Sequence, residues 1–148
     1  VRIAKQLPAN AICANIGSGA GTSVLAVLLN RDDVMLYDID ITPDNGVAQM
    51  REFGKDDPRY WRRMTGDSKS IAYDGPPLDY LFIDGDHSES GLRGDLAAWL
   101  PRCNPDAWVL IHDYSRDVWP DVARVTDEVM GDTGYTVNTL RVFKLGQA

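Results

Sequence analysis

Hydrophobic residues along this chain fall into short, nearly continuous runs that alternate with segments in which apolar positions recur every three or four residues. Continuous runs are typical of strands buried on both faces of a parallel sheet, and the recurring positions are typical of helices packed on it. The pattern predicts strands over residues 11–17, 34–40, 61–67, 78–84 and 107–113, with one or two closing strands in 135–145. It predicts helices over residues 22–30, 88–100 and 119–130, and a helix within 41–53.

This alternation predicts an α/β fold, in which a doubly wound and mostly parallel sheet carries helices on both faces. Residues 1–148 are predicted to form a single domain, since neither an internal repeat nor a long linker interrupts the pattern. Folds of this kind bind ligands at the carboxyl ends of their strands. The residues that directly follow each strand are therefore the first candidates for function.

Composition and charge restrict the kinds of partner that the protein is expected to bind. The chain of 148 residues carries a formal net charge of −7, and nucleic acid is not expected as a partner because proteins that bind duplexes are usually basic. A membrane is not expected either, since no apolar run approaches the roughly 20 residues of a spanning helix. Cys13 and Cys103 lack a metal-like spacing and are predicted to be free thiols in a reducing compartment, which indicates a cytoplasmic protein.

The first predicted strand is followed by the sequence NIGSGAGTS, which contains Gly17, Gly19 and Gly21. Glycines at this point of the fold allow a tight turn and a close approach of the backbone to a ligand. The spacing is G-x-G-x-G, whereas a dinucleotide fingerprint is G-x-G-x-x-G and a P-loop requires Gly-Lys-Ser/Thr. The turn favours a ligand without a pyrophosphate, although a purely structural turn explains three glycines equally well.

Polar residues follow the second and third predicted strands. Asp38 comes about 20 residues after the first glycine, where an acid holds a ribose hydroxyl in such folds. Asp40 is the alternative, because a small error in the strand boundary would exchange the two acids. Asp67 and Ser68 follow the third strand and are predicted to lie on the same rim of the sheet.

Acids and histidines follow the fourth and fifth predicted strands. Asp84 ends the fourth strand and His87 comes three residues later, while His112 directly precedes Asp113 at the end of the fifth. Because these two strands are expected to be neighbours in the centre of the sheet, the four side chains are predicted to meet. Carboxylates suit a hard cation such as Mg²⁺, and an imidazole can accept a proton near neutral pH.

The segments NIGSGAGTS, YDID, TGDS, LDYLFIDGDHS, DLAAWLP and AWVLIHDY occur in this order along the chain. In this arrangement the chain, from about residue 10 to residue 145, resembles class I, Rossmann-type S-adenosylmethionine-dependent methyltransferases. It is most similar to the small-molecule O-methyltransferase-like group that carries the IDGDH motif. The resemblance implies a seven-stranded sheet of order 3-2-1-4-5-7-6 with an antiparallel seventh strand. It also implies methyl transfer from S-adenosylmethionine to an oxygen of a sugar-like or phenol-like small molecule.

The resemblance further implies a set of residues that hold S-adenosylmethionine. At the methionine end, Asn15 would lie near the amino group, and Asp84 would lie beside the methionine moiety and the transferred methyl. The methionine and ribose portions would contact Gly17, Ser18 and Gly19, and the ribose hydroxyls would bind Asp38. The adenine would lie against Asp67 and Ser68. Asn15 stands where the family usually has Glu or Asp, so it can accept a hydrogen bond but brings no charge.

Two interpretations of the acid and histidine cluster stay open. In the first, Asp84 and Asp113 bind a divalent cation such as Mg²⁺, as in the metal-dependent sugar and catechol enzymes that the chain resembles, and His87 accepts the proton of the acceptor hydroxyl. In the second, no metal is used, and His87 or His112 alone is the base. Tyr114 stands where the catechol-type enzymes carry Asn, which disfavours a three-ligand site.

Few residues precede the first predicted strand, where relatives usually carry helices that cover the substrate. The sequence therefore predicts a minimal version of the fold without an N-terminal lid. Three alternatives stay open: a lid has been removed, the acceptor site is open, or another subunit of a homo-oligomer covers it. Two rival functions are a non-catalytic module that binds S-adenosylmethionine or S-adenosylhomocysteine beside a degenerate acceptor site, and a nicotinamide-dependent oxidoreductase. The early third glycine and the IDGDH sequence argue against the oxidoreductase.

Overall fold

The computed structural model describes residues 2–147, and within this range seven strands form one sheet in the order β3-β2-β1-β4-β5-β7-β6. Residues 1 and 148, the two ends of the predicted domain, lie outside the described residues. The fold class and strand order expected from the sequence are confirmed. The strands are β1 Ile12–Ile16, β2 Met35–Asp40, β3 Trp61–Thr65, β4 Leu78–Ile83, β5 Cys103–Ile111, β6 Tyr135–Val137 and β7 Leu140–Lys144.

The five strands β1 to β5 pair in parallel, and β7 pairs antiparallel with both β5 and β6. Parallel pairing brings the carboxyl ends of β1, β2, β3, β4 and β5 to one edge of the sheet. The order of the strands reverses between β1 and β4, which both lie at its centre. This reversal is the switch point at which such sheets open a crevice for a ligand.

Helices cover both faces of the sheet. They are α1 Thr22–Leu28, α2 Val47–Glu52, α3 Glu89–Trp99 and α4 Pro120–Met130, with single 3-10 turns at Ala4–Gln6 and Leu100–Arg102. Val24 of α1 and Met50 of α2 are buried in one core cluster, and Leu96 of α3 and Val125 of α4 are buried in the other. The apolar strands lie between these two clusters, which accounts for their nearly continuous hydrophobic sequence. None of the helices found in residues 2–147 combines the length and apolar composition needed to cross a membrane.

The fifth strand begins earlier than the sequence predicts, at Cys103 instead of residue 107. Leu78 of β4 pairs with Cys103 of β5. Tyr80 lies only two residues further along β4, yet it pairs with Trp108, so β5 carries an irregularity between these two pairs. Pro105 lies in the irregular part, and proline is tolerated in a sheet at such places. The predicted start at residue 107 is too late because the pattern of hydrophobicity cannot reveal a strand that bulges away from its partner.

A buried carboxylate joins β1, β2 and β3. Asp38 on β2 is 0% exposed and accepts hydrogen bonds from Asn15 Nδ2 (3.0 Å), Ser18 Oγ (2.5 Å), Trp61 Nε1 (3.2 Å) and Arg63 Nη1 (3.1 Å). Arg63 also donates to Ser18 Oγ. Burying a carboxylate is costly unless it is paired and hydrogen-bonded, and here four donors from three segments of the chain satisfy it.

Replacing Asp38 with alanine should lower the free energy of unfolding by about 3 to 5 kcal/mol, because Arg63 would be left buried without its partner. Urea denaturation followed by circular dichroism measures the change. Asp57→Ala is the matched control, since Asp57 pairs with Arg59 at the surface and the loss of an exposed pair changes stability little. Equal losses in both variants would contradict a structural role for the buried network.

Candidate functional site

The turn after β1 approaches the turn after β4 too closely for any side chain. Gly17 has φ +84°, and a Cβ at this position would lie 2.0 Å from the backbone oxygen of Asp84. The backbone N–H of Asp84 donates to Ile16 O (2.8 Å), and that of Gly17 donates to Ile39 O (2.9 Å), so the turn is fixed to both neighbouring strands. Gly19 has φ +47°, and a Cβ at Gly19 would meet no other group within 4 Å, which leaves open space above the turn.

A cleft of about 490 Å³ opens above these turns at the carboxyl edge of the sheet. It brings together five of the residues predicted to hold a cofactor, namely Gly17, Gly19, Asp67, Ser68 and Asp84. The other lining residues are Ile16, Ile39, Asp40, Ile41, Thr42, Asn45, Gly66, Lys69, Gly85 and Asp86. Three further predicted residues, Asn15, Ser18 and Asp38, are buried in the network beneath the glycine turn.

The two acids at the end of β2 have different surroundings. Asp38 is buried with its carboxylate engaged by protein donors, whereas Asp40 lines the cleft. Asp40 accepts hydrogen bonds from the backbone N–H groups of Thr42 (2.7 Å) and Ser18 (2.9 Å) and from Asn45 Nδ2 (3.2 Å). Burial acts to raise the pKa of Asp40, but these hydrogen bonds together outweigh it and hold the pKa below its usual value. Of the two acids considered from the sequence, Asp40, the alternative, is therefore the one that faces the cleft.

The loop after β3 forms the opposite wall of the cleft. Asp67 accepts a hydrogen bond from the backbone N–H of Lys69 (3.0 Å), and the Lys69 Nζ lies 3.0 Å from its carboxylate. The side chain and backbone of Lys69 hold the pKa of Asp67 below its usual value. Ser68 is held from behind by α3, where Trp99 Nε1 donates to its carbonyl oxygen (3.0 Å) and Asp95 accepts from its hydroxyl (2.5 Å). Asp67 and Ser68 are among the site residues predicted from the sequence, whereas Lys69 and Asp95 are not.

The four side chains predicted to meet at the ends of β4 and β5 do so. His87 Nε2 lies 3.0 Å from Asp113 Oδ2 and 3.5 Å from Asp84 Oδ1, and His112 Nδ1 lies 3.3 Å from an oxygen of each acid. All four side chains are between 26% and 38% exposed. One ligand atom from each of Asp84, His87 and Asp113 can be chosen so that all lie within 4.8 Å of one another, a spacing that suits a metal ion.

The backbone of Asp113 is in the left-handed region, with φ +55°. This conformation is uncommon outside glycine, although Asp tolerates it better than most residues. The next residue is fixed to the neighbouring hairpin by a hydrogen bond from Tyr114 N to Thr139 O (2.8 Å), and the Tyr114 hydroxyl donates to Asp127 Oδ1 (2.8 Å). Tyr114 therefore reaches α4, and the contacts of the two acids with one another's strand are made through His87 and His112.

The imidazole of His87 is held by an aromatic neighbour that sequence analysis did not identify. Trp119, just before α4, stacks on His87 with ring centroids 4.5 Å apart and an interplanar angle of 18°. Trp119 remains 41% exposed and borders a second cleft of about 500 Å³. The second cleft shares Gly85 and Asp86 with the first, so the two are separated only by the turn after β4.

Replacing Gly17 with alanine should destabilise the protein by about 2 kcal/mol or more, because the new methyl group meets backbone atoms that cannot rotate away. Gly54→Ala is the matched control: Gly54 has φ +62° but nothing within 4 Å of the added carbon, so only the conformational strain of about 1 kcal/mol applies. Thermal and urea unfolding of both variants measure the difference. Equal costs at the two positions would contradict the close contact with Asp84.

Comparison with known protein families identifies a match over two thirds of the chain. A family described as a methyltransferase domain matches residues 14–114. This range begins in β1, includes the glycine turn, and ends just after Asp113. No curated protein matches the sequence significantly.

Solved structures with the same fold have low sequence identity to this chain. A protein assigned as a caffeoyl-CoA O-methyltransferase from Staphylococcus aureus is 17% identical, with 98% of this chain and 78% of that chain covered and a TM-score of 0.73. An rRNA methylase from Streptococcus thermophilus is 16% identical over 97% and 92%, with a TM-score of 0.71. The MycE methyltransferase of the mycinamycin biosynthetic pathway, in complex with Mg, S-adenosylhomocysteine and mycinamycin VI, is 16% identical over 93% and 45%, with a TM-score of 0.67. At this level of sequence identity, the similarity to these structures shows a common fold and no more.

Proposed function

Because the chain belongs to the methyltransferase domain family, we propose that it transfers the methyl group of S-adenosylmethionine to an oxygen of a small-molecule acceptor. The observation that carries the proposal is the position of Asp84. Asp84 lines the first cleft and also belongs to the cluster with His87, His112 and Asp113. A cofactor in the first cleft would therefore lie beside groups that can orient a hydroxyl and accept its proton.

The residues that line the first cleft offer donors and acceptors that suit S-adenosylmethionine. Gly19 leaves open space above the turn for the methionine and ribose portions, and Gly17 lines the same cleft. Asp40, whose carboxylate is already oriented by backbone N–H groups, is the proposed partner of the ribose hydroxyls. Asp67 and Ser68 line the proposed adenine end of the same cleft. A carboxylate at Asp84 suits the positive charge of the sulfonium.

The cluster also fits a divalent cation, with Asp84 and Asp113 as its proposed ligands. Their carboxylate oxygens are the hard donors that such ions accept in proteins. A bound cation would supply positive charge that lowers the pKa of an acceptor hydroxyl. His87 is the proposed base, with its ring plane held by Trp119. His112, which contacts the same acids, is the alternative base.

The second cleft is the proposed acceptor site. It adjoins His87 and offers the exposed face of Trp119, on which a flat or hydroxylated ring can stack. Asp86 and Asp121 also line it, and their negative charge disfavours acceptors that carry phosphates. Together with the net charge of −7 this supports a small uncharged acceptor over nucleic acid, although rRNA methylases share the fold.

Isothermal titration of S-adenosylhomocysteine tests the proposal, first with Mg²⁺ and then with EDTA. Micromolar binding is expected, since Gly17, Gly19, Asp67, Ser68 and Asp84 together line one cleft. A heat that depends on magnesium would support the Asp84 and Asp113 metal site. Binding without methylation of any hydroxylated acceptor would favour the alternative, a non-catalytic module that binds the cofactor. No binding in either buffer would contradict the proposed cofactor site.

Substitutions in the cluster distinguish a residue that binds the metal ion from a residue that accepts the proton. Asp84→Ala is expected to abolish turnover, because Asp84 belongs to both the cofactor cleft and the cluster. His87→Ala should leave the affinity for S-adenosylhomocysteine nearly unchanged and lower the rate by about 10² to 10⁴, the range for loss of a general base. Mn²⁺ binding followed by electron paramagnetic resonance decides the role of His87. Lost Mn²⁺ affinity in His87→Ala would identify it as a ligand and leave His112 as the base.

A further inference from the structure

A buried carboxylate in α3 lies behind the first cleft without lining it. Asp95 is 1% exposed, and its Oδ1 accepts a 2.5 Å hydrogen bond from the hydroxyl of Ser68. Asp95 takes no part in the proposed methyl transfer. It belongs to the sequence DLAAWLP, to which neither the composition nor the proposed chemistry assigns a role.

The second oxygen of the same carboxylate lies beside the turn after β4, which also lines the cleft. A Cβ built on Gly85 would be 3.0 Å from Asp95 Oδ2, so the carboxylate packs closely on the turn between Asp84 and Asp86. Ser68 and Gly85 both line the cleft, and they come from the loops after β3 and β4. Asp95 thus bonds the loop after β3 through Oδ1 and lies beside the turn after β4 with Oδ2.

The next turn of α3 reinforces the hold on Ser68. Trp99 is 0% exposed, and its Nε1 donates to the carbonyl oxygen of Ser68 (3.0 Å). The hydroxyl and the carbonyl of Ser68 are therefore both hydrogen-bonded to α3. A loop held at two polar groups by one helix has little freedom to change its distance from the turn after β4.

Packing alone does not explain a carboxylate at this position. Burial raises the pKa of Asp95, while the Ser68 hydrogen bond and the nearby Lys69 oppose the shift, and the charges of Asp67 and Asp86 add to it. An apolar side chain would avoid the cost of desolvating the carboxylate. What the carboxylate provides instead is an acceptor aimed at Ser68.

We propose that Asp95 is a positioning residue for the cofactor: it fixes Ser68 relative to Gly85 and so sets the width of the adenine end of the cleft. The inference rests on the proposed function, because it assigns S-adenosylmethionine to this cleft. Asp95 acts through Ser68 and does not itself touch the cofactor.

A double-mutant cycle on the affinity for S-adenosylhomocysteine tests the inference. Asp95→Ala and Ser68→Ala should each weaken binding by about tenfold, the effect of losing a hydrogen bond to a charged group. The double variant should bind no more than about twofold more weakly than either single variant, because one interaction is lost in all three. Asp95→Asn keeps an oxygen facing Ser68 and should restore most of the affinity. A merely structural role predicts neither the coupling nor the rescue.

Glu89→Gln is the matched control, since Glu89 is an exposed acid in the first turn of the same helix and pairs with Arg93 and Arg124. It should bind S-adenosylhomocysteine as the wild type does. The inference is overturned if Asp95→Ala folds and its affinity for S-adenosylhomocysteine is within twofold of the wild-type affinity. It is also overturned if the loss of affinity in the double variant equals the product of the losses in the two single variants. If Asp95→Ala does not fold, wild-type affinity in Ser68→Ala overturns it. Failure of the wild-type protein to bind defeats the proposed function and this inference together, whereas the other outcomes leave the proposed function intact.

Discussion

The buried carboxylate of Asp38 is the interaction on which the rest of the site depends. Its four donors come from β1, the glycine turn and β3, so a single acid fixes three segments that the chain brings together only on folding. With Ser18 fixed by this network, its backbone N–H donates to Asp40 in the cleft. The ion pair with Arg63 and the additional hydrogen bonds offset the desolvation of the charge. One buried acid therefore helps to orient a second acid that lines the cleft.

Asp38 and Asp40 differ in role because they differ in depth. Side chains two residues apart along a strand point to the same face of the sheet, so the two acids share a direction. Asp38 pairs with Asn15 in the middle of the parallel sheet, where helices cover the strand, whereas Asp40 ends β2 at the open edge. The same residue type thus stabilises the fold at Asp38 and lines the cleft at Asp40.

The cluster at the ends of β4 and β5 arises from the parallel pairing of these strands. Ile83 pairs with Ile111, so the residues that follow each strand emerge side by side. Three contacts then refine the arrangement: Trp119 orients His87, the left-handed backbone of Asp113 directs its carboxylate, and the backbone of Asp84 packs against Gly17. The last contact joins the cluster to the glycine turn, and hence the proposed site of chemistry to the proposed cofactor site.

The sequence by itself determined the α/β class, the approximate positions of the strands and the meeting of Asp84, His87, His112 and Asp113, because these follow from hydrophobic periodicity and from the geometry of parallel strand ends. The family resemblance added the strand order. Only the tertiary structure decided that Asp38 is buried while Asp40 lines the cleft, that β5 begins at Cys103, that Trp119 stacks on His87, and that Asp95 supports Ser68. Each of these depends on contacts between residues far apart in sequence or on a shift in strand register, and local patterns of polarity carry no information about either.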